Sequence, residues 1–526
     1  MSLEAFVHDL HYNTDKARPP EWDVDWEDAP LPYKLYRGLP EVPLSPEVPL
    51  TLEAKREHGE PDLHAVGHFL WYVFGLAQVC QSVMPLNSGE QAVSSVPYKR
   101  RFVPSGGGLY PSELYVYLNI KDLPAGVYHY NVAHHSLVPL REGHFDSYLA
   151  RALGNRCDVS SCFGAVLVST VFWKNYFKYH NFAYRLQGLD AGVLIGQLLE
   201  VAKRFGFETG VYFQFLDRAV NHLLGLSEQE ESAYAVIPLS VKPETAWFMK
   251  ETREAAPSSA DDLCRELTAV QHTHFVRSKR IREYPMLVRM NEASMLDSSR
   301  SFQWAGGTKT ADDRGQKLML PRVERIAYDL APVSHRRYSP EMDFVMSTVG
   351  QPQLASLLLE TAASFPYRND LDDPSGTTES RIKLYCCLYG ADGIPEGAYR
   401  YDMEHHALAP VRPGDHRLRL QRAMTLDNVN LYQVPLCLHA AGDQNHLRTP
   451  LGYRGYRIQQ MEAGMLVQKL LLSASALGMG GHPLLGYDAS LCDELYRMVP
   501  EGITSLIQIP VGVYRYRPRL AGSLHS

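Results

Sequence analysis

No stretch of this chain approaches the roughly 18 consecutive apolar residues that a membrane-spanning helix needs, which argues against a membrane span. The opening Met1-Ser2-Leu3-Glu4-Ala5 has no signal-peptide pattern. Cysteine is scarce, with 8 in 526 residues. Cys157 and Cys162, the adjacent Cys386-Cys387, and the scattered Cys80, Cys264, Cys437 and Cys492 have no zinc spacing, so no metal site is expected. They read instead as buried thiols of a reducing compartment, which implies a cytoplasmic protein. There is no excess of positive charge: Lys+Arg 52 against Asp+Glu 59 gives a net −7, which argues against a nucleic-acid partner. Nor does a G-x-G-x-x-G turn follow any strand-like run, so no dedicated nicotinamide domain is evident.

What the chain does have is glycine in one telling place. In Arg101-Phe102-Val103-Pro104-Ser105-Gly106-Gly107-Gly108-Leu109-Tyr110-Pro111, three successive residues carry no Cβ, so backbone N–H groups can approach a polar or anionic ligand closely. The loop leads into a strand at 113–120 and a hairpin turning at Ala133-His134-His135-Ser136, whose histidines are expected to be solvated. Upstream, residues 1–55 are rich in proline, tryptophan and acids, and read as an extended segment wrapped over a domain surface. Residues 63–76 read as a buried helix. His64 and His68 within it lack a third ligand, so they read as a packed face. Downstream, Lys178-Tyr179 leads into a long amphipathic helix over about 189–205.

Three blocks then recur. PYKRRFVPSGGG at Pro97 returns as PYRNDLDDPSGT at Pro366. The hairpin PAGVYHYNVAHHSLVPL returns as PEGAYRYDMEHHALAPV, and AYRLQGLDAG at Tyr184 returns as GYRIQQMEAG at Tyr456. Their offsets of 269, 271 and 272 are nearly constant, so the chain is a fused duplication of one α+β unit, a homodimer made covalent. The expected organisation is an N-terminal segment 1–55, a first copy 56–245, a polar joint 246–320, a second copy 321–518 and a tail 519–526.

Both copies resemble the nitroreductase-like flavoprotein fold, an α+β domain with a mixed or antiparallel sheet flanked by helices. The first resembles its streptolysin-type (SagB-type) azoline dehydrogenase branch. The residues carrying this are His11…Thr14-Asp15-Lys16, Pro32-Tyr33-Lys34-Leu35-Tyr36, PSGGGLYP, the PAGVYHY hairpin and KYHNFAYRLQGLDAG. The resemblance implies FMN held across the interface of a dimer, here an internal pseudo-dimer. One partner would supply an Arg-x-Ser-x-Arg start and a Pro-x-x-Gly-(Phe/Tyr)-Asp turn, and the other the Pro-Ser-Gly loop.

The copies have decayed in opposite places. The second keeps Ser334 and Arg336, with Pro332 where the leading Arg should stand, and keeps Pro483-Leu484-Leu485-Gly486-Tyr487-Asp488. Its own glycine loop has become Pro374-Ser375-Gly376-Thr377-Thr378. The first copy keeps the loop but has Phe213-Gln214-Phe215 where the glycine turn would fall. The expectation is one composite FMN site: Ser334 and Arg336 on the phosphate, Leu485 and Gly486 near the ring, and Pro104, Ser105, Gly106 and Gly107 along the ribityl chain and ring edge. The pseudo-symmetric site would be dead.

In the branch resembled, a Lys-Tyr pair serves the oxidation of thiazolines or oxazolines to thiazoles or oxazoles in ribosomally made peptides, with oxygen reoxidising the flavin. The second copy has Pro450 and Leu451 at the matching positions, so one site alone could use Lys178 and Tyr179. Aromatising an azoline removes a proton from the ring Cα and a hydride from Cβ, so a base is required. Tyr179 as base tuned by the Lys178 ammonium is one assignment, and the reverse is the other. The implied partners are an azoline-bearing precursor peptide and a cyclodehydratase. Two further readings stay open: an NAD(P)H-dependent nitro- or quinone reductase, and a flavin-free scaffold of a peptide-modifying complex.

Overall fold

Two seven-stranded sheets with the same strand order make up the frame, and every ladder in them is antiparallel. In the first the order is Val42–Pro43, Ser136–Glu142, Gly126–Asn131, Ser112–Leu118, Gly164–Val171, Glu231–Ser240, Glu208–Thr209. The second runs Leu318–Met319, Ala407–Pro413, Gly397–Asp402, Lys383–Leu388, Leu436–Asp443, Ile503–Gly512, Gly480–Gly481. This computed structural model describes the chain except residues 18–21, 54–60, 86–92, 244–246, 249–256, 307–314, 365, 374–379, 518–519 and 524–526.

Each sheet is covered on both faces, which the strands record as near-continuous burial. In Ser112–Leu118 the alternation still sorts side chains: Leu114, Val116 and Leu118 join the central core, while Tyr115 and Tyr117 join a second core on the opposite face. The central core is organised on two long helices, Ala183–Phe205 and Arg448–Ala476, which pack on each other across the pseudo-twofold. Apart from Lys203 and Arg204, the first of them is buried along its whole length.

Glycine makes that approach close. A Cβ on Gly192 would stand 2.0 Å from the Met461 carbonyl oxygen, and one on Gly464 would stand 2.2 Å from the Leu189 carbonyl oxygen. The two pairs are equivalent under the repeat offset of 272, so this is the pseudo-twofold seen atom by atom. On the same axis Tyr184 stacks on its counterpart Tyr456 with centroids 6.1 Å apart. Polar bonds fasten the seam: Gln468 Nε2 donates to Gln197 Oε1 at 2.7 Å, and the Lys469 ammonium meets Glu200 at 3.0 Å.

Several expectations need correction. The N-terminal segment is not extended at its start: Leu3–Tyr12 is a helix, capped by Ser2, which buries Phe6, Val7 and Leu10. The helix Leu63–Phe74 stops short of residue 76, where Gly75 gives way to a strand. Leu76–Pro85, Val93–Arg101 and, from the tail, Leu520–Ser523 form a third sheet that no periodicity announced. The second long helix-like run begins at Ala183 rather than 189, because Ala183 to Gly188 faces the other copy. His135 is buried, not solvated, with its ring bonded to the Tyr130 hydroxyl at 2.8 Å. Its counterpart His406 repeats the bond to Tyr401 at 2.7 Å, and both histidines have φ 49°. The expectation for solvation holds for His134, which is exposed.

Candidate functional site

The glycine loop is a tight turn built round one serine. Ser105 Oγ accepts from Tyr110 N at 2.9 Å, and Gly108 N donates to the Ser105 carbonyl at 3.0 Å. Gly107 and Gly108 have φ of 66° and 69°, where a side chain is strained, and Tyr110 follows at 48°. The turn is held to the long helix by Asp190, which accepts from Ser105 Oγ at 2.6 Å and Gly106 N at 3.2 Å.

Lys178 and Tyr179 lie against that turn. They close the helix Phe172–Tyr179 rather than opening one. A Cβ on Gly107 would be 2.7 Å from the Tyr179 hydroxyl and 3.1 Å from the Lys178 ammonium. Glycine at 107 is therefore required twice over, by its φ and by the two side chains that use the space. The next residue, His180, holds φ 49° and ψ −138°, a conformation costly for any residue but glycine. At the matching position the second copy has Gly452, at φ 57° and ψ −145°. His180 is kept there by Trp22, 4.7 Å away ring to ring, and by a bond from its Nδ1 to the Ala17 carbonyl at 3.2 Å. Beneath the helix, Lys174 donates to the Tyr110 carbonyl at 3.2 Å and pairs with buried Glu113, whose other oxygen meets His129 Nε2 at 3.0 Å. The adjacent Lys174 charge offsets the desolvation of Glu113 and holds its carboxyl well below the usual range.

The second copy brings its basic turn to the same place. Ser334 and Arg336 end the helix Leu330–Arg336. Arg337 Nε donates to the Phe102 carbonyl at 2.9 Å, Arg100 donates to the Arg337 carbonyl, and His335 packs on Phe102 with centroids 5.0 Å apart. The turn thus meets the chain two residues before Pro104. Among the described residues nothing hydrogen-bonds the buried Ser334 hydroxyl, and Arg336 is exposed. A hydroxyl and a guanidinium are groups that an oxyanion can use. Leu485 is buried, and Gly486 accepts from Thr425 N at 2.8 Å with room for a Cβ only at 3.3 Å from Thr425.

Protein side chains take up the backbone donors at the pseudo-symmetric location. Asp370 accepts from Phe213 N and Gln214 N, both at 2.9 Å, and pairs with Arg156 at 2.8 Å. Glu462, the repeat partner of Asp190, receives Arg381 at 2.6 Å and the Tyr367 hydroxyl at 2.7 Å instead of a glycine turn. Between Gln214 and Pro450-Leu451-Gly452 a cavity of about 240 Å³ is left, lined in part by Ser294 to Leu296 of the joint. The decayed loop Pro374–Thr378 lies outside the described residues.

Sequence reasoning missed Asp190, Arg337, Arg100 and the tryptophans near Lys178. A signal for Asp190 was there: LDAG and MEAG keep an acid at one position of both copies. Burial, set against the Ser105 and Gly106 hydrogen bonds, pushes the Asp190 carboxyl up to about 7. A raised folded-state value means stability that is full below the unfolded range near 4 and is lost as pH climbs through about 7. Asp190→Asn is therefore expected to flatten the fall in melting temperature between pH 4 and 7. An unchanged slope in thermal melts across that range would refute the assignment.

Two copies of one α+β unit, with their long helices packed across a pseudo-twofold, define the class: a covalent pseudo-dimer. The chain belongs to the nitroreductase family, whose model matches residues 81–239 and 374–513, one segment in each copy. Its whole length follows the crystal structure of an Anabaena variabilis protein assigned to the nitroreductases, at TM-score 0.72 and 21% identity, covering 98% of this chain and 99% of that one. It is 33% identical over 143 residues to the trifolitoxin-processing protein TfxB of Rhizobium leguminosarum, 26% of this chain and 38% of that one. It is 28% identical over 149 residues to the microcin B17-processing protein McbC of Escherichia coli, 27% of this chain and 53% of that one. Both matches span less than two thirds of the processing proteins. Among the described residues no helix is long and apolar enough to cross a membrane.

Proposed function

We propose that this chain is an FMN-dependent dehydrogenase that oxidises thiazolines or oxazolines to thiazoles or oxazoles in a ribosomally made peptide, beside the cyclodehydratase that forms those rings. The observation that carries the reading is the contact of Lys178 and Tyr179 with Gly107, at positions where the second copy has Pro450 and Leu451. Further support comes from the two relatives named for processing trifolitoxin and microcin B17.

The residues present fit the cofactor. Ser334 and Arg336 would hold its phosphate, Pro104 to Gly107 its ribityl chain and ring edge, and Leu485 and Gly486 the ring from the second copy. When bound, FMN supplies the acceptor for the hydride leaving the ring Cβ. The chain's own work is on the proton. The Tyr179 oxygen and Lys178 nitrogen converge on the glycine turn, so one of them in its deprotonated form, phenolate or neutral amine, accepts the Cα proton while the other holds it in position. Asp190 keeps the turn still while they do so.

Mass spectrometry of an azoline-bearing peptide incubated with the protein tests this, with an expected loss of about 2 mass units per ring, the two hydrogens of aromatisation. Absorbance of the purified protein should give one flavin per chain. Two flavins would refute the composite site, and turnover of nitroaromatics with NADPH but not of the peptide would favour a general reductase.

A further inference from the structure

Trp26 is 55% exposed, yet it is fixed in place more firmly than exposure alone would require. It opens the short turn Trp26–Asp28, capped by the Asp25 carboxylate. The turn is bolted to the joint between the copies: Asp28 accepts from Lys279 N at 2.7 Å and Arg280 N at 2.9 Å, and its carbonyl accepts from Ser278 Oγ at 2.7 Å. Ser278 is in turn held by Trp173 Nε1 at 2.9 Å, from the helix that carries Lys178 and Tyr179. On that helix Trp26 rests edge-on against Phe177, centroids 5.7 Å apart, and the Lys178 ammonium stands 5.3 Å from the centre of the indole. The Lys178 ammonium thus neighbours both the glycine turn and a partly solvent-exposed indole.

We infer that Trp26 is a substrate-binding residue: its exposed face stacks a planar ring of the peptide, an aromatic side chain or an azole already formed, next to the azoline being oxidised. Burial cannot explain an indole kept in water, whereas stacking on a preorganised ring is what exposed tryptophans contribute to recognition. Its neighbour fixes where the peptide runs, because a chain that presents an azoline to Lys178 and Tyr179 passes over the indole on its way out. The joint segment that holds the turn, Ser278 to Arg280, is flanked by Val276 and Ile281, 47% and 50% exposed.

This inference rests on the proposed peptide substrate, and two readouts separate the two. A fluorescently labelled azoline peptide with phenylalanine beside the ring is titrated into the flavin-loaded full chain, and its oxidation is followed in parallel. Trp26→Ala is expected to weaken binding and raise KM about tenfold, a larger effect than on kcat, with flavin absorbance unchanged, and Trp26→Phe to restore most of the affinity. The effect should shrink when the flanking phenylalanine is replaced by alanine. Equal affinity of parent and Trp26→Ala, or a fall in kcat at constant KM, would overturn the inference. A parent that binds but does not oxidise the peptide would sink the dehydrogenase reading while the affinities still decide Trp26. A parent that does neither overturns both.

Discussion

Lys178→Ala and Tyr179→Phe are each expected to yield a yellow, flavin-loaded protein whose azole formation has dropped by about 10²- to 10⁴-fold, the usual contribution of a positioned acid or base. Flavin should stay because neither side chain belongs to the phosphate turn at Ser334–Arg337 or to the serine-centred bonds of the glycine loop. Both stand against Gly107. The two assignments of the base can be separated with a third variant. Arg keeps the positive charge but does not give up its proton in proteins. If Lys178 serves as the fixed charge beside a Tyr179 base, Lys178→Arg should recover part of the rate. If Lys178 is itself the base, Lys178→Arg should be as inactive as the alanine variant. Unchanged turnover in both Lys178→Ala and Tyr179→Phe, measured by peptide mass, would remove the pair from the mechanism.

Much of this was legible in the sequence because duplication converts a long-range question into a local one. Constant offsets give the twofold, and the twofold requires that copy two's basic turn meet copy one's loop. What the structure shows is Arg337, next to the expected Arg336, donating to the Phe102 carbonyl two residues before Pro104. Two kinds of feature escaped. Sheet pairing between the tail and residues 76–85 depends on partners more than 400 residues apart, which no periodicity encodes. The site's supports were hidden for a related reason. Asp190 lies on an amphipathic helix where one acid looks like a solvated one, and only its closure onto Ser105 distinguishes it. Lys174 and Glu113 likewise form a buried pair across separate elements, each unremarkable in its own segment.

The dead half explains why the duplication persists as one chain. At the pseudo-symmetric location Asp370 bonds the Phe213 and Gln214 amides, and Arg381 pairs with Glu462. The Asp370 contacts are buried and cross between copies, so they tie the halves together, whereas Arg381 and Glu462 pair within the second copy. Breaking a buried pair by removing one partner typically costs about 3–5 kcal/mol, because the other charge is left uncompensated. In the proposed site the Ser334–Arg336 turn and the glycine loop come from different copies, so that site depends on the seam.

Gly192→Val is accordingly expected to do more damage than its size suggests. The first added carbon would stand 2.0 Å from the Met461 carbonyl oxygen, and that neighbour is backbone of a buried helix, which cannot rotate away. The helices must separate, and the shift is felt at once by the mirror contact of Gly464 with Leu189 on the same axis. Overpacking a tight core ordinarily costs about 1–3 kcal/mol. Here the packing lost with helix separation adds to that, so a cost at or above the upper end is expected, with lowered flavin retention, because moving the copies apart also moves Arg337 from Phe102. Gly306→Val is the control: it is exposed, and an added Cβ there meets nothing within 4 Å. Thermal melts and flavin absorbance of the two variants should diverge sharply. If Gly192→Val melts with the parent and stays yellow, the close crossing of the long helices is not what holds the two half-sites in register.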